Sequence, residues 1–392
     1  MRAKLAWFAA FFKVSIWRVV FAAILLSGLA GLSMRFIYGL GGATNLTDSF
    51  PWGLWKGFNV VAGIGLGAGG FTVAATVHVF NLKRYRPILR IALLTAFLGY
   101  AFMAVALMVD IGRPYRIWHP VVMWGEHSVL FEVAWCVILY LNVLALELAP
   151  AICERFGWRK LLGGVSAISA PVVIFGVILS TLHQSSLGSL FLILPEKLYP
   201  LWYTPLLPVF FFVSAICAGL SMVIIASWQG KRALGKELEL PVLEGLGRAL
   251  AVVLMIYQCG RFLDLQDRGA LRLLLQNRTE TWLFGLETAL LLVPMLLLFQ
   301  RRVRNRPGRL YACALMVILG FIANRLNVTV TGLEASSGVH YVPKWSEVSV
   351  TLSMVALAFA VFRFTAQHFP IFDERRPRAP IFAEEEVPAG VG

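Results

Sequence analysis

From Ile91 to Asp110 the chain reads IALLTAFLGYAFMAVALMVD. Nineteen residues pass without a formal charge before the aspartate closes the run. A helix that crosses the hydrocarbon core of a bilayer needs about 20 mostly apolar residues at 1.5 Å each. This stretch meets that length, and working outward from it about nine more of the same kind appear. The ten candidate spans run roughly 17–40, 52–80, 88–110, 128–150, 163–183, 203–229, 242–264, 280–300, 309–332 and 346–369. The second is long and must tilt or protrude. No segment between spans is long enough for a soluble domain. The expected fold is therefore an all-α, polytopic membrane protein.

Composition agrees. Of 392 residues, 59% are hydrophobic, and mean hydropathy is +0.75. Soluble domains hold about 45–50% apolar residues, so this excess calls for lipid as solvent. The formal charge of +14 does not imply nucleic acid, because membrane proteins collect Lys and Arg in cytoplasmic loops. With the N-terminus inside, the inner loops carry Lys83, Arg84 and Arg86; Arg155, Arg159 and Lys160; Lys231, Arg232 and Lys236; and Arg301, Arg302, Arg304, Arg306 and Arg309. The tail adds Arg375, Arg376 and Arg378. Counted over loops, about 21 basic residues lie inside and about 7 outside. Both termini are thus expected in the cytoplasm. Residues 1–16 read as an interfacial segment without a signal-peptide cleavage pattern, 17–370 as the membrane domain, and 371–392, rich in Pro and Glu, as a disordered cytoplasmic tail.

Charges inside a membrane are costly, so they are usually paired and functional. Glu147, Arg248 and Arg363 sit near inner ends where long side chains snorkel. Lys56, Asp110, Glu132 and His183 are placed by topology at similar depth near the outer side. Trp52 and Trp55 accompany them. That Trp pair reads first as an interfacial belt, but its company also suits a pocket wall. A quinone headgroup needs this mixture: an aromatic slot, a donor such as His or Tyr, and carboxylates to pass protons. Tyr100 lies mid-span between Arg90 and Asp110, either as a packed core residue or as a proton relay.

A weak repeat links the two halves. Asp110 precedes Glu132 by nearly the interval at which Asp264 precedes Glu287. Arg261 and Asp264 share a helix face, and with Glu287 and Arg325 they form a second polar cluster. A structural network and a proton path are equal readings of it.

Other signals point away from chemistry. Gly63 to Gly70 superficially resembles a dinucleotide loop, but it follows no strand, and small residues at this spacing let helices approach closely. Cys136, Cys153, Cys217, Cys259 and Cys313 form no C-x-x-C, which argues against a cluster or zinc site in this chain. His78 and His368 fall at inner ends, while His119, His127, His183 and His340 are outer or in loops. Two stacked hemes lack a mid-membrane His pair; one outer heme on His183 with His127 or His119 stays open.

Several strings taken together carry a resemblance: Phe50-Pro51-Trp52-Gly53-Leu54-Trp55, Asp110-Ile111-Gly112-Arg113, Ser128-Val129-Leu130-Phe131-Glu132 and His183-Gln184-Ser185-Ser186-Leu187-Gly188-Ser189. The chain resembles the NrfD/polysulfide reductase membrane-subunit family, most of all its HybB-type hydrogenase branch, from Arg35 to about residue 370. The resemblance implies two four-helix bundles (roughly 52–183 and 203–332) plus extra helices. It implies no heme, and a site for menaquinone or ubiquinone near the outer surface. It also implies a ferredoxin-like iron–sulfur partner on the periplasmic face of a bacterial inner membrane, serving a catalytic subunit such as a nickel–iron hydrogenase or a multiheme cytochrome.

Glu132, His183, Asp110 and Tyr100 then become the expected proton-transfer groups. Trp52, Trp55, Lys56, Asn59, His183 and Ser185 become the expected quinone contacts, and Arg35, Arg90 and Arg113 further buried polar residues. Asn59, and Ala226 with Ser227, stand where relatives are expected to carry acids, which puts any path through those positions in doubt. A secondary transporter or ion channel and a b-type cytochrome are the competing readings.

Overall fold

The computed structural model describes residues 16–235 and 239–372. The expected interfacial segment before Ile16, Lys236, and the tail from residue 373 with Arg375, Arg376 and Arg378 lie outside them. Among the described residues, ten helices are long and apolar enough to cross a membrane: α1 (Ile16–Ala43), α2 (Trp55–Val79), α3 (Lys83–Asp110), α4 (Val129–Phe156), α5 (Ser169–Ser189), α6 (Leu207–Leu234), α7 (Leu240–Asp267), α8 (Thr279–Phe299), α9 (Pro307–Ser337) and α10 (Trp345–His368). Their outward rows are apolar, with Leu29, Val105, Ile178, Ile256, Leu286 and Leu352 all exposed. Such surface suits lipid. The chain is a multi-pass membrane protein.

Helices α2 to α5 pack in sequence and α5 returns to α2, while α6 to α9 form a second ring in the same way. The rings meet along α2, α3 and α5 against α6, and along α2 against α9. Helices α1 and α10 pair with each other and lean on α3. The glycine run explains the inter-ring contact. A Cβ on Gly219 of α6 would lie 2.2 Å from the Gly69 nitrogen of α2, so the two backbones approach to a distance that no other residue pair permits. Helix α2 is not uniform. Trp55–Ala62 and Ala75–Val79 adopt wide π turns, as does Asn327–Thr331 of α9. Such turns rotate the side chains that follow them and often sit at functional sites.

One boundary differs from the sequence expectation. The span predicted over 163–183 begins at Ser169, after a short separate helix Arg159–Ala167, and continues to Ser189. The polar string after His183 looked like a helix end. Instead Ser185, Ser186 and Ser189 return their hydroxyls to carbonyls one turn back, Thr181, Leu182 and Ser185. A serine satisfied this way is compatible with an apolar helix.

The arginine-rich end is tied internally. Arg304 donates to the Leu298 and Phe299 carbonyls (2.5 and 2.9 Å), satisfying the open end of α8. Arg90 grips Glu154 with two parallel bonds (2.9 and 2.6 Å) and also reaches the Pro370 carbonyl. Ile371, assigned from sequence to the tail, is buried.

Candidate functional site

At the opposite end, the last turn of α3 presents Asp110, which is buried. Lys56 from the first turn of α2 stands 3.3 Å from its carboxylate and donates to the Pro51 carbonyl (2.9 Å). Arg35 from α1 caps the end of α3, donating to the Val109 and Ile111 carbonyls (both 2.6 Å). Asn59 is buried farther along α2.

A second acid, which sequence reasoning missed, completes this corner. Glu347 lies at the start of α10 and is fully buried. Its carboxylate accepts from the Tyr341 hydroxyl (2.5 Å) and the Asn45 and Lys344 amides (3.1 and 2.9 Å). Burial pushes the Tyr341 phenol above its usual range, and the bond to Glu347 adds to this. The same hydroxyl accepts from the Leu54 amide (2.9 Å), and Trp55 donates its indole N–H to the Glu347 carbonyl (3.0 Å). Gly53 is required here, because a Cβ would meet the Tyr341 hydroxyl at 2.6 Å. The sequence signal was a glutamate at the third position of a helix, reaching back to the amide that precedes it.

The expected Trp pair therefore separates. Trp55 turns toward α10, while Trp52 packs on Phe191 (5.3 Å), just beyond α5. His183 also departs from expectation. It lies against Tyr100, ring centroids 5.5 Å apart, and Tyr100 is ten residues from Asp110, about 15 Å along a helix. Its depth is that of mid-α3 rather than of Asp110, because α5 continues past it. The imidazole is completely buried, and neither ring nitrogen has a hydrogen-bond partner among the described residues. Tyr140 lies edge-on to Tyr100 (4.8 Å), and the Gln184 amide stands 3.5 Å from the Tyr100 hydroxyl, at the limit of a hydrogen bond.

Glu132 sits in the first turn of α4 and is exposed. It accepts one bond, from Ser186 (2.6 Å). Ser185, expected as a quinone contact, gives its hydroxyl to its own helix; Ser186, one position on, divides a single hydroxyl hydrogen between the Leu182 carbonyl and this acid. Arg113 was expected to be buried, but it is exposed in the loop after α3, where no helix packs over it.

The second ring holds a tighter network. Glu287 of α8 is fully buried and accepts four bonds. Arg261 and Asn324 (2.8 Å) reach Oε1, while Trp202 (3.0 Å) and Asn327 (2.8 Å) reach Oε2. Asp264 accepts from Thr204 (2.6 Å) and from Arg268 (2.7 and 3.0 Å). Arg325 donates to Asn324 Oδ1 (2.7 Å), Ser214 Oγ (2.8 Å) and the Phe211 carbonyl (3.1 Å). The two acids of the suspected repeat thus differ. Glu132 is the fourth residue of its helix, exposed, with one bond; Glu287 is the ninth, buried and saturated.

The histidines do not favour the His183 pairing that heme would need. His183 is buried against Tyr100, His127 is 98% exposed on its side chain, and His119 lies edge-on to Trp118.

Comparison with known proteins adds an independent line. A protein of Nitratidesulfovibrio vulgaris is 38% identical over 366 residues, covering 91% of this chain and 94% of the relative. The "probable Ni/Fe-hydrogenase 2 b-type cytochrome subunit" of Escherichia coli is 31% identical over 359 residues, 90% of this chain and 91% of the relative. The "menaquinone reductase, integral membrane subunit" of Nitratidesulfovibrio vulgaris is 29% identical over 362 residues, 85% and 86% of the two chains. The profile of the polysulphide reductase NrfD family matches residues 42–335, from the end of α1 through nearly all of α9. With that match over both helix rings, the chain belongs to the polysulphide reductase NrfD family.

Proposed function

We propose that this chain is the quinone-reacting membrane subunit of a respiratory oxidoreductase complex. In it, electrons pass between an iron–sulfur partner on the Asp110 end and the membrane quinone pool. The observation that carries the reading is His183: a buried imidazole beside the Tyr100 phenol, both ring nitrogens without a hydrogen-bond partner among the described residues. Buried polar groups are nearly always satisfied, so such a histidine marks a place where a ligand or a proton does work. A menaquinone-type headgroup agrees with the name of one relative, a menaquinone reductase membrane subunit. Electrons do not cross about 30 Å of hydrocarbon without a relay; His183 is level with Tyr100, about 15 Å along α3 from the Asp110 end and about 25 Å from its other end, so the partner belongs at the Asp110 end.

In this scheme Glu132 is the proton carrier. Its carboxylate has one hydrogen bond and access to the surface, so it gains and loses a proton without dismantling a network. Tyr100 and His183 hold the headgroup side of the path, and Lys56 with Asp110 fixes the helix ends around it. The excess of basic residues at the other end supports cytoplasmic termini in a bacterial inner membrane. Glu132→Gln is the test. The variant complex is expected to assemble normally and to lose quinone-linked turnover; near-normal rates would remove Glu132 from the path.

The name of the Escherichia coli relative favours a second reading, a heme-bearing cytochrome. An optical spectrum of the purified complex separates the two, since a heme Soret band assignable to this chain supports the second and sinks the first.

A further inference from the structure

The two buried corners differ in charge. Around Asp110, the cations Arg35, Lys56 and Lys344 stand with the acids Asp110, Glu347 and Glu334, and the sum is zero. In the second ring, Arg261, Arg268 and Arg325 stand with two acids. Arg268 pairs with Asp264 and Arg261 with Glu287. Arg325 is 1% exposed and enters no ion pair among the described residues. Its partners are neutral oxygens of Asn324, Ser214 and Phe211. The rings of Phe211 and Phe321 cover its guanidinium at 3.6 and 4.5 Å from their centroids. An uncompensated charge buried this way is expensive, and cation–π contact offsets a part of the cost.

What stays open is an edge of the guanidinium. Arg325 Nε and Arg261 Nη2 are buried and without a hydrogen-bond acceptor among the described residues. Both arginines line a cavity that offers the centre of a small occupant about 20 Å³, with Tyr257, Asn324 and Thr204 in the same wall. By that measure one water-sized body needs about 10–15 Å³, so one small occupant fits and an aromatic ring does not. Arg268, whose side chain is 23% exposed, also lines the cavity and connects it to the surface.

We infer that this cavity is a binding site for a single monovalent anion of halide size, held by Arg325 and Arg261 between α6, α7 and α9. Water would satisfy the donors but leave the extra positive charge; a halide satisfies both. Such an ion acts as a structural counter-ion, and the inference is independent of the quinone reading.

The test is thermal unfolding of the purified complex while chloride replaces gluconate at constant ionic strength. A saturable rise in Tm of a few degrees is expected, because a ligand bound only by the folded state stabilises it; bromide should substitute. Ser214→Asp sets a carboxylate beside Arg325 and is expected to abolish the response. If that variant does not assemble, Arg325→Gln, which removes the charge, is expected to be equally insensitive. Identical melting of the wild type in both salts would overturn the proposal and leave water in the cavity. An undiminished chloride response in Ser214→Asp, or in Arg325→Gln, would also overturn it by placing the anion elsewhere.

Discussion

Replacing Glu287 with glutamine tests whether the second-ring acid is a lock or a proton carrier. All four hydrogen bonds to its carboxylate are accepted ones. An amide of the same shape has one oxygen and one NH2 group, so two of those four contacts become donor against donor whichever way it turns. The substitution also leaves Arg261 without its carboxylate in a buried site that already contains Arg325. Breaking a buried ion pair from one side costs about 3–5 kcal/mol. At roughly 2–4 °C per kcal/mol, the ratio for domains of about 150–250 residues, Tm should fall by about 6–20 °C. The assay is heat-step size-exclusion chromatography of the detergent-solubilised complex, with turnover measured on the fraction that survives. The surviving fraction is expected to retain quinone-linked activity. A variant that melts within a degree or two of wild type yet has lost turnover would refute the locked reading and make Glu287 a working proton carrier.

His183→Ala should raise the KM for a soluble quinone analogue by about three- to tenfold, the value of one hydrogen bond; an unchanged KM would move the headgroup elsewhere. Tyr341→Phe removes a hydroxyl that donates to Glu347 and accepts from Leu54. It is expected to cost about 1–3 kcal/mol of stability, read as a lower Tm, with no effect if the α10 corner were loose. Gly219→Ala drives a methyl against the Gly69 backbone, and the yield of folded protein should collapse. Gly285→Ala, with open space at its Cβ position, is the tolerated control.

The ten spans and the basic bias of the loops at one end were legible in the chain itself. A bilayer imposes length and apolarity on each helix separately, so those properties need no tertiary information. Most of the buried charges were legible for the same reason, since each charge in an apolar run stands out. Asp110, Glu132, His183, Arg261, Glu287 and Arg325 were all visible that way. Their partners were not. Glu347 sits in the tenth helix and reaches Tyr341, Asn45 and, through its backbone, Trp55; no spacing rule relates those positions. The level of His183 depended on whether the serines after it ended the helix or bonded back into it, which is a local choice fixed only by packing. The difference between an acid with one hydrogen bond and an acid with four is likewise invisible in a string that shows Phe-Glu in one place and Gly-Leu-Glu in the other. Sequence by itself determined which residues must cross the membrane and which charges needed an explanation, because the cost of burial acts on each residue alone. Tertiary structure decided which charges meet, because Lys56 reaches Asp110 and Arg261 reaches Glu287 from separate helices whose packing no local pattern fixes.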